Sequence, residues 1–165
     1  MVRRKKLTKD LTLIFTPHFP YNAERNSRMR YRALLGIGGN IGDVLRRFEH
    51  LFWYMKSSKF VHLLESSPIL KNPPFGFLEQ DDFHNALLLV ETNLTPGELL
   101  RYVLRVEKAF GRKRLFKDGP RTLDIDLIFY EDIKMESDTL TLPHPSWMKR
   151  SSVLIPLSMM KKKVG

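Results

Sequence analysis

Two carboxylates lie close together in the stretch GPRTLDIDLIFY, residues 119–130, which is otherwise mostly apolar. The β-branched and aromatic side chains of this stretch predict a β-strand. Because alternate residues of a strand face opposite sides, Asp124 and Asp126 project from one face, with Cα atoms roughly 7 Å apart. The opposite face is predicted to be unbroken and apolar, formed by Leu123, Ile125, Leu127 and Phe129. Two like charges this close repel each other, so basic side chains or a divalent cation must compensate them.

The available ligand chemistry favours magnesium as that cation. The chain contains no cysteine and only 5 histidines, so oxygen atoms are the expected metal ligands. Mg²⁺ usually binds one or two protein carboxylates and completes its shell with water and substrate phosphate. Taken alone, however, an acid pair of this spacing is more often two surface residues on a solvated strand face.

A basic segment precedes the acid pair. Residues 112–121 carry five positive charges against a single acid, Asp118. The five are Arg112, Lys113, Arg114, Lys117 and Arg121. Taken alone, this segment is typical of a solvated charge run or a nucleic-acid patch. Beside an acid pair it predicts phosphoryl transfer, because a metal bridges the phosphates while arginines hold the transferred group. The pattern GxxxxGK[ST] is absent from the sequence, so this is not a P-loop enzyme.

Two helices and several strands are predicted to position these residues. Apolar residues at helical spacing follow Asp43, which is suited to cap the first helix. Thr95, Pro96 and Glu98 have the pattern of a capping box at the start of a second helix, which ends at Gly111. The glycine-rich GIGGNIGD predicts a tight strand-to-helix turn more than a dinucleotide site. The order β-α-β-β-α-β indicates an α+β fold, a ferredoxin-like sandwich with helices packed on a mostly antiparallel sheet.

The whole chain has 165 residues, 42% of them hydrophobic, and a net charge of +10. Its length and composition suit one domain with its own core, and the charge predicts anionic partners. We expect a basic extension at residues 1–30 and the functional domain at residues 31–165. No apolar run approaches the ~20 residues of a membrane span, and no signal-peptide core follows the basic start. We therefore expect a cytoplasmic protein without a membrane partner.

The signature GPRTLDIDLIFY resembles that of the 6-hydroxymethyl-7,8-dihydropterin pyrophosphokinase family. Other stretches resemble the family in the same order: LLGIGGNIGD, NPPFG, FHNALLLVET, TPGELL, EKAFGRKR and LTLPHPSWMKRSSVLIPL. The resemblance extends from about residue 31 to residue 157. It implies an enzyme of folate biosynthesis that transfers pyrophosphate from ATP to the hydroxymethyl group of the pterin and releases AMP. It also implies a monomer with no nucleic-acid partner.

The same resemblance implies a role for each residue of the site. Asp124 and Asp126 would hold two Mg²⁺ ions, and Arg112 and Arg121 would be catalytic with them. The implied ATP contacts are Arg112, Arg114, Lys117, Arg121, Leu127, Thr141, His144 and Arg150. The implied pterin contacts are Asn72, Pro73, Phe75, Phe83 and Asn85. The nucleophile is the hydroxyl group of the substrate, so the protein needs only to align the reactants and compensate charge.

The chain departs from the family in the region of the pterin. Asp118 stands where an aromatic residue is common, and Ser152 stands where a phenylalanine often stacks on the ring. We expect Phe75, rather than Trp147, to supply the missing aromatic face. Phe75 lies in KNPPFGFLEQDD, residues 71–82, whose prolines and glycine exclude regular pairing. We expect this loop to be mobile without ligand and ordered with both substrates bound.

Two other function classes remain open on the residues alone. A basic nucleic-acid-binding module shares the order β-α-β-β-α-β, although the aromatic run of such folds is absent. A metal-dependent nuclease or nucleotidyltransferase also uses paired carboxylates but usually needs a third acid, for which Glu107 and Asp118 are candidates. Glu107 either faces the nucleotide or is a solvated helix acid.

Overall fold

The structure is a computed structural model that describes residues 1–112 and 116–162. The strands in these residues are β1 (Arg3–Lys6), β2 (Thr12–Phe15), β3 (Tyr21–Asn22), β4 (Tyr31–Gly39), β5 (Val61–Ser66), β6 (Ile69–Asn72), β7 (Phe83–Thr92), β8 (Asp124–Tyr130), β9 (Met135–Glu136) and β10 (Thr141–Leu142). The α-helices are α1 (Val44–Lys56), α2 (Pro96–Ala109) and α3 (Ser151–Ser158), and a short 3₁₀ helix covers Trp147–Lys149. The predicted α+β class is confirmed.

One eight-stranded sheet forms the centre of the molecule. Strand β4 lies between β7 and β8 and is antiparallel to both of them. The far edge of β7 pairs with β6 near its start and with β5 near its end. Strands β2 and β1 extend the sheet beyond β6, and β3 extends it beyond β5. The mostly antiparallel sheet predicted from the sequence is therefore confirmed.

The first two helices begin where their capping residues predict. The Asp43 side chain accepts a hydrogen bond from the backbone N–H of Arg46, and Thr95 and Glu98 form a reciprocal capping box. Each helix buries its apolar face against the sheet side that carries Leu35, Ile37, Leu88 and Val90. These helices leave the opposite side of the sheet available for the site.

Helix α3 lies on that opposite side. Its residue Val153 joins a smaller apolar cluster with Leu34, Leu87, Leu89 and Ile128. No element was predicted for the stretch VLIPLSMM, which forms most of this helix. The helix covers only part of β6 and β7, and the remainder of this sheet face is the floor of the candidate site.

A β-bulge interrupts the alternation of side chains in β8. Leu127 pairs with Leu35 and Phe129 pairs with Leu34, so Ile128 is the extra residue. Phe129 therefore turns to the α3 side, where it packs on Trp147 with ring centroids 4.7 Å apart. The predicted unbroken apolar face is wrong at this residue, because a bulge moves every later side chain to the other face.

Residues 1–30 contribute three strands to the sheet. The stretch LTLIF contains β2, and the three strands were not part of the expectation of a basic extension. Leu13, Ile14 and Phe19 are at most 2% exposed, so this segment adds apolar side chains to the interior. In the described part of the chain, no helix combines the length and apolar character needed to cross a membrane.

Candidate active site

Glycines on β4 open the space above the acid pair. Asp124 pairs with Gly38 and Asp126 pairs with Gly36, so each carboxylate stands beside a residue without a side chain. A Cβ atom on Gly38 would lie 2.4 Å from Asn85 Oδ1, well inside van der Waals contact. Asn85 pairs with Gly38 on the other edge of β4. Glycine at this position therefore allows Asp124 and Asn85 to face one common cavity.

Arg121 compensates the charge of Asp124. Asp124 is 8% exposed, and its Oδ2 accepts a hydrogen bond of 2.6 Å from Arg121 Nη1. The Arg121 guanidinium group also lies 5.8 Å from the centre of the Phe83 ring. Asp126 is exposed at the surface of the same strand face. The predicted need for basic compensation is met at Asp124 by a residue of the basic segment.

The acid pair lines a cavity of about 420 Å³ on the α3 side of the sheet. This volume is in the range of small-molecule sites. Ten predicted site residues line it: Asn72, Pro73, Phe75, Phe83, Asn85, Arg121, Asp124, Asp126, His144 and Arg150. These residues come from strands β6, β7 and β8, the loop after β6, the basic segment and the segment before α3. The fold therefore gathers positions up to 78 residues apart (72 to 150) in one place.

A second cavity of about 350 Å³ adjoins the first. Five predicted residues line it: Arg112, Asp126, Leu127, Thr141 and His144. Asp126 and His144 line both cavities. The exposed carboxylate of the pair thus stands where two ligands in neighbouring cavities would meet.

The two ring nitrogens of His144 have different roles at this junction. Its Nδ1 accepts a hydrogen bond of 3.2 Å from the backbone N–H of Ser146, so the neutral ring carries its proton on Nε2. Burial lowers the pKa of His144, the nearby Asp126 carboxylate opposes this shift, and Arg150 adds to it. The result favours a neutral ring between the two cavities.

Paired amides and an exposed aromatic ring form the other end of the larger cavity. Asn85 Nδ2 donates a hydrogen bond of 2.7 Å to Asn72 Oδ1, which fixes both amide groups. Phe75, on the loop after β6, is 84% exposed. Phe83 is partly buried at the start of β7. Ser152 also lines this cavity. Trp147, the alternative to Phe75 as the second aromatic face, does not line it, because its ring packs on Phe129.

Asn40 is a site-forming residue that sequence reasoning missed. It follows β4 and is 5% exposed. Its Oδ1 accepts a hydrogen bond from the backbone N–H of Arg121, and its Nδ2 donates to Gln80 Oε1, both at 2.9 Å. Gln80 in turn donates to the backbone oxygen of Asp118 at 2.8 Å. The turn predicted at GGNIGD therefore joins the loop after β6 to the basic segment, and an asparagine within this glycine-rich turn was the available signal in the sequence.

Glu107 is not a solvated helix acid. The residue is 3% exposed, and its Oε2 accepts a hydrogen bond of 2.5 Å from the backbone N–H of Ile125. Its Oε1 lies 3.5 Å from Arg112 Nε. Burial raises the pKa of Glu107, while the Ile125 and Arg112 interactions oppose the shift. Glu107 also lines the second cavity.

Some predicted residues are not brought to the cavities. Lys117 lines neither of the two cavities, and Arg114 lies outside the described residues. Asp118 lines the larger cavity, yet within residues 1–112 and 116–162 no group of three His, Cys, Asp or Glu side chains is arranged to hold a metal ion. The third acid expected of a nuclease is therefore absent from the described region.

The chain is similar in sequence to known proteins over most of its length. The family model described as 7,8-dihydro-6-hydroxymethylpterin-pyrophosphokinase (HPPK) matches residues 34–162. The 2-amino-4-hydroxy-6-hydroxymethyldihydropteridine pyrophosphokinase of Helicobacter pylori is 39% identical over 143 residues, covering 86% of this chain and 88% of the relative. The enzyme of the same name from Campylobacter jejuni is 41% identical over 141 residues, covering 86% and 90%. That from Aquifex aeolicus is 37% identical over 127 residues, covering 74% and 76%.

Proposed function

We propose a role for each residue of the site from the premise that the chain belongs to the 7,8-dihydro-6-hydroxymethylpterin-pyrophosphokinase family. The resemblance drawn from GPRTLDIDLIFY is thereby confirmed. The enzyme transfers pyrophosphate from ATP to 6-hydroxymethyl-7,8-dihydropterin in folate biosynthesis, giving AMP and the pterin diphosphate. ATP dependence of this kind generally involves Mg²⁺.

The main support for this proposal is that Asp126 and His144 line both cavities. We assign the pterin to the larger cavity and ATP to the second, so that the phosphates lie beside the acid pair. The substrate hydroxyl and the β-phosphorus would then meet at Asp126. Such alignment supplies much of the rate enhancement when the nucleophile belongs to the substrate.

The acid pair suits magnesium. Asp124 and Asp126 offer carboxylate oxygens on one strand face, the donor type that Mg²⁺ prefers. We assign both residues as ligands of two Mg²⁺ ions. Bound there, the ions would neutralise charge on the phosphates of ATP.

The arginines stabilise the charge that moves during transfer. Arg121 is within 2.6 Å of Asp124 and lines the larger cavity, so it reaches both the metal ligand and the transferred group. Arg112 lines the second cavity and would hold the phosphates from the other side. The remaining ATP contacts in this proposal are Arg114, Lys117, Leu127, Thr141, His144 and Arg150.

The pterin is assigned to the amide and aromatic end of the larger cavity. Asn72 and Asn85 offer hydrogen-bonding groups to the polar edge of the ring, and their mutual bond of 2.7 Å supports a fixed geometry. Phe83 offers one aromatic face, and Phe75 would close over the other. Pro73 shapes the start of the loop that carries Phe75.

The order β4-α1-β5-β7-α2-β8 supports a ferredoxin-like core. We propose residues 31–165 as the pyrophosphokinase domain and residues 1–30 as a basic extension that adds strands to its sheet. The family match beginning at residue 34 supports this division. We also propose that the enzyme acts as a monomer in the cytoplasm, where ATP is available, without a nucleic-acid partner.

One assay separates this function from its rivals. The purified protein is incubated with ATP, and AMP and pterin diphosphate are quantified with and without the pterin and Mg²⁺. We expect AMP and pterin diphosphate in equal amounts, and neither when the pterin or Mg²⁺ is omitted. ATP consumption that is independent of the pterin, or cleavage of added nucleic acid, would contradict the assignment.

A further inference from the structure

We propose that Glu107 is a positioning residue of this reaction, which fixes the metal-binding strand and orients the arginine of the second cavity. The inference rests on the proposed roles of Asp124, Asp126 and Arg112. It starts from the location of Glu107 in the last turn of α2, where a carboxylate only 3% exposed is unusual.

The first contact fixes the strand. Strand β8 is at one end of the main sheet path, with β4 as its partner. The N–H of Ile125 donates to Glu107 Oε2 at 2.5 Å, so the carboxylate acts where a further strand would supply a carbonyl oxygen. Ile125 separates the two acidic residues. Holding its backbone therefore restricts the directions in which Asp124 and Asp126 project.

The second contact reaches the basic segment. Glu107 Oε1 lies 3.5 Å from Arg112 Nε, and the N–H of Arg112 donates to the backbone oxygen of Glu107 at 3.1 Å. Both Glu107 and Arg112 line the second cavity. One carboxylate thus links the strand that carries the acids to an arginine that lines the second cavity.

The location of the charge supports a role beyond packing. Burying a carboxylate is costly unless it is paired and hydrogen-bonded. A neutral glutamine could accept the Ile125 N–H equally well, but it could not attract the Arg112 guanidinium group. The negative charge is therefore needed specifically for the second contact, and its loss should affect the reaction through Arg112.

The test compares Glu107→Gln with a matched control, Glu98→Gln. Glu98 is the exposed acid of the same helix, and glutamine also suits its capping position. We expect Glu107→Gln to lower kcat by about 10-fold or more, with the KM for the pterin within about 2-fold, and Glu98→Gln to change neither. In an Arg112→Ala background, Glu107→Gln should have less than about a 2-fold further effect on kcat, because the two residues act as a unit.

Wild-type kcat in Glu107→Gln, or fully multiplicative losses in the double variant, would overturn the proposal. If Glu107→Gln fails to fold, the amide of Ile125 in the wild-type protein provides the second measurement. We expect this amide to exchange with solvent as slowly as amides paired with β4, and exchange as fast as that of an unpaired edge amide would overturn the proposal. The amide measurement does not depend on activity, so a wild-type protein that makes no AMP would contradict the proposed function separately.

Discussion

At the scale of single residues, charge compensation is the feature that organises the site. Arg121 offsets the charge of Asp124 directly, while Asp126 remains exposed at the junction of the cavities. A cation that binds both acids would free the Arg121 fork for a phosphate oxygen, because the two carboxylates would then be compensated by the ion. In this proposal Arg121 therefore pairs with Asp124 in the free enzyme and with a phosphate oxygen during the reaction.

The proposed catalytic roles of Arg112 and Arg121 give a first prediction. We expect Arg112→Ala and Arg121→Ala each to lower kcat more than they raise the Kd of ATP, since their forks matter most as charge redistributes in the transition state. The check is to measure kcat by AMP formation and the Kd by calorimetry for each variant. Variants in which only the Kd changes would identify both arginines as binding residues without a catalytic role.

The aromatic residues of the larger cavity give a second prediction. We expect Phe83→Ala to weaken pterin binding most and Phe75→Ala substantially, because an aromatic stack contributes about 0.5–1.5 kcal/mol beyond the buried area. Trp147→Ala serves as the comparison, since its ring packs on Phe129. Pterin titrations monitored by calorimetry provide the measurement. A loss of pterin affinity in Trp147→Ala together with its retention in Phe75→Ala would reverse the assignment of the lid residue.

The alternation of side chains in a strand predicted that Asp124 and Asp126 share one face and need compensating charge. Arg121, three positions before Asp124, supplies part of that compensation. Glu107 and Asn40 were not assigned, because their partners are 18 and 81 positions away in the chain. Their roles depend on burial and on the packing of distant elements, neither of which local spacing reveals.

At the scale of elements, hydrogen bonds and a ring contact join the loop after β6 to the basic segment. Gln80 bridges Asn40 to the backbone of Asp118, and the rings of Phe77 and Phe116 meet edge to face at 5.1 Å. The loop nevertheless exposes Phe75 strongly. A loop that is attached at Phe77 and Gln80 and exposes Phe75 is suited to close over a ligand.

Hydrogen exchange tests this closure. We expect the amides of residues 75–79 to exchange rapidly in the free protein and to become protected when ATP, Mg²⁺ and the pterin are bound, because closure excludes water from the reacting groups. Amides of the central strand β4 provide the internal control and should stay protected throughout. Exchange at residues 75–79 that substrates leave unchanged would count against the closing loop.

Elements with strong local signals were predictable, and those fixed by distant contacts were not. The capping residues of α1 and α2 located both helix starts correctly. Helix α3 was not predicted, since it contains Pro156 and β-branched residues that weaken the local helical signal. The bulge at Ile128 depends on the register with β4, and a single strand sequence does not specify that register.

At the scale of the whole molecule, residues 1–30 form three strands of the main sheet. Strands β1 and β2 continue the sheet on the side of β6, which carries Asn72 of the larger cavity. The basic composition of this segment did not indicate that it joins the sheet, although Leu13, Ile14 and Phe19 are buried in the interior.

The core also buries Tyr130, whose hydroxyl donates a 2.6 Å hydrogen bond to the backbone oxygen of Leu94.

The environment of Tyr130 predicts how stability depends on alkaline pH. Burial raises its pKa from 10 to about 12, so the unfolded chain loses this proton at lower pH than the folded protein. The linked stabilisation, about 3 kcal/mol, is complete below pH 10 and is lost as the pH rises from 10 towards 12. Urea unfolding across this range should show the decline, and a shallower one for Tyr130→Phe. Tyr54→Phe, at an exposed tyrosine, should keep the wild-type slope; equal slopes in all three proteins would contradict this account.

The most direct test of the central claim is the Mg²⁺-dependent rate of AMP formation in Asp124→Ala and Asp126→Ala. We predict that each variant folds, keeps a far-ultraviolet circular dichroism spectrum like that of the wild type, and loses about 10³-fold in kcat, or ~4 kcal/mol of transition-state stabilisation. Asp132→Ala, which removes an exposed acid in the turn after β8, should retain wild-type turnover. Near-wild-type kcat in either Asp124→Ala or Asp126→Ala would contradict the assignment of this pair as the centre of the reaction.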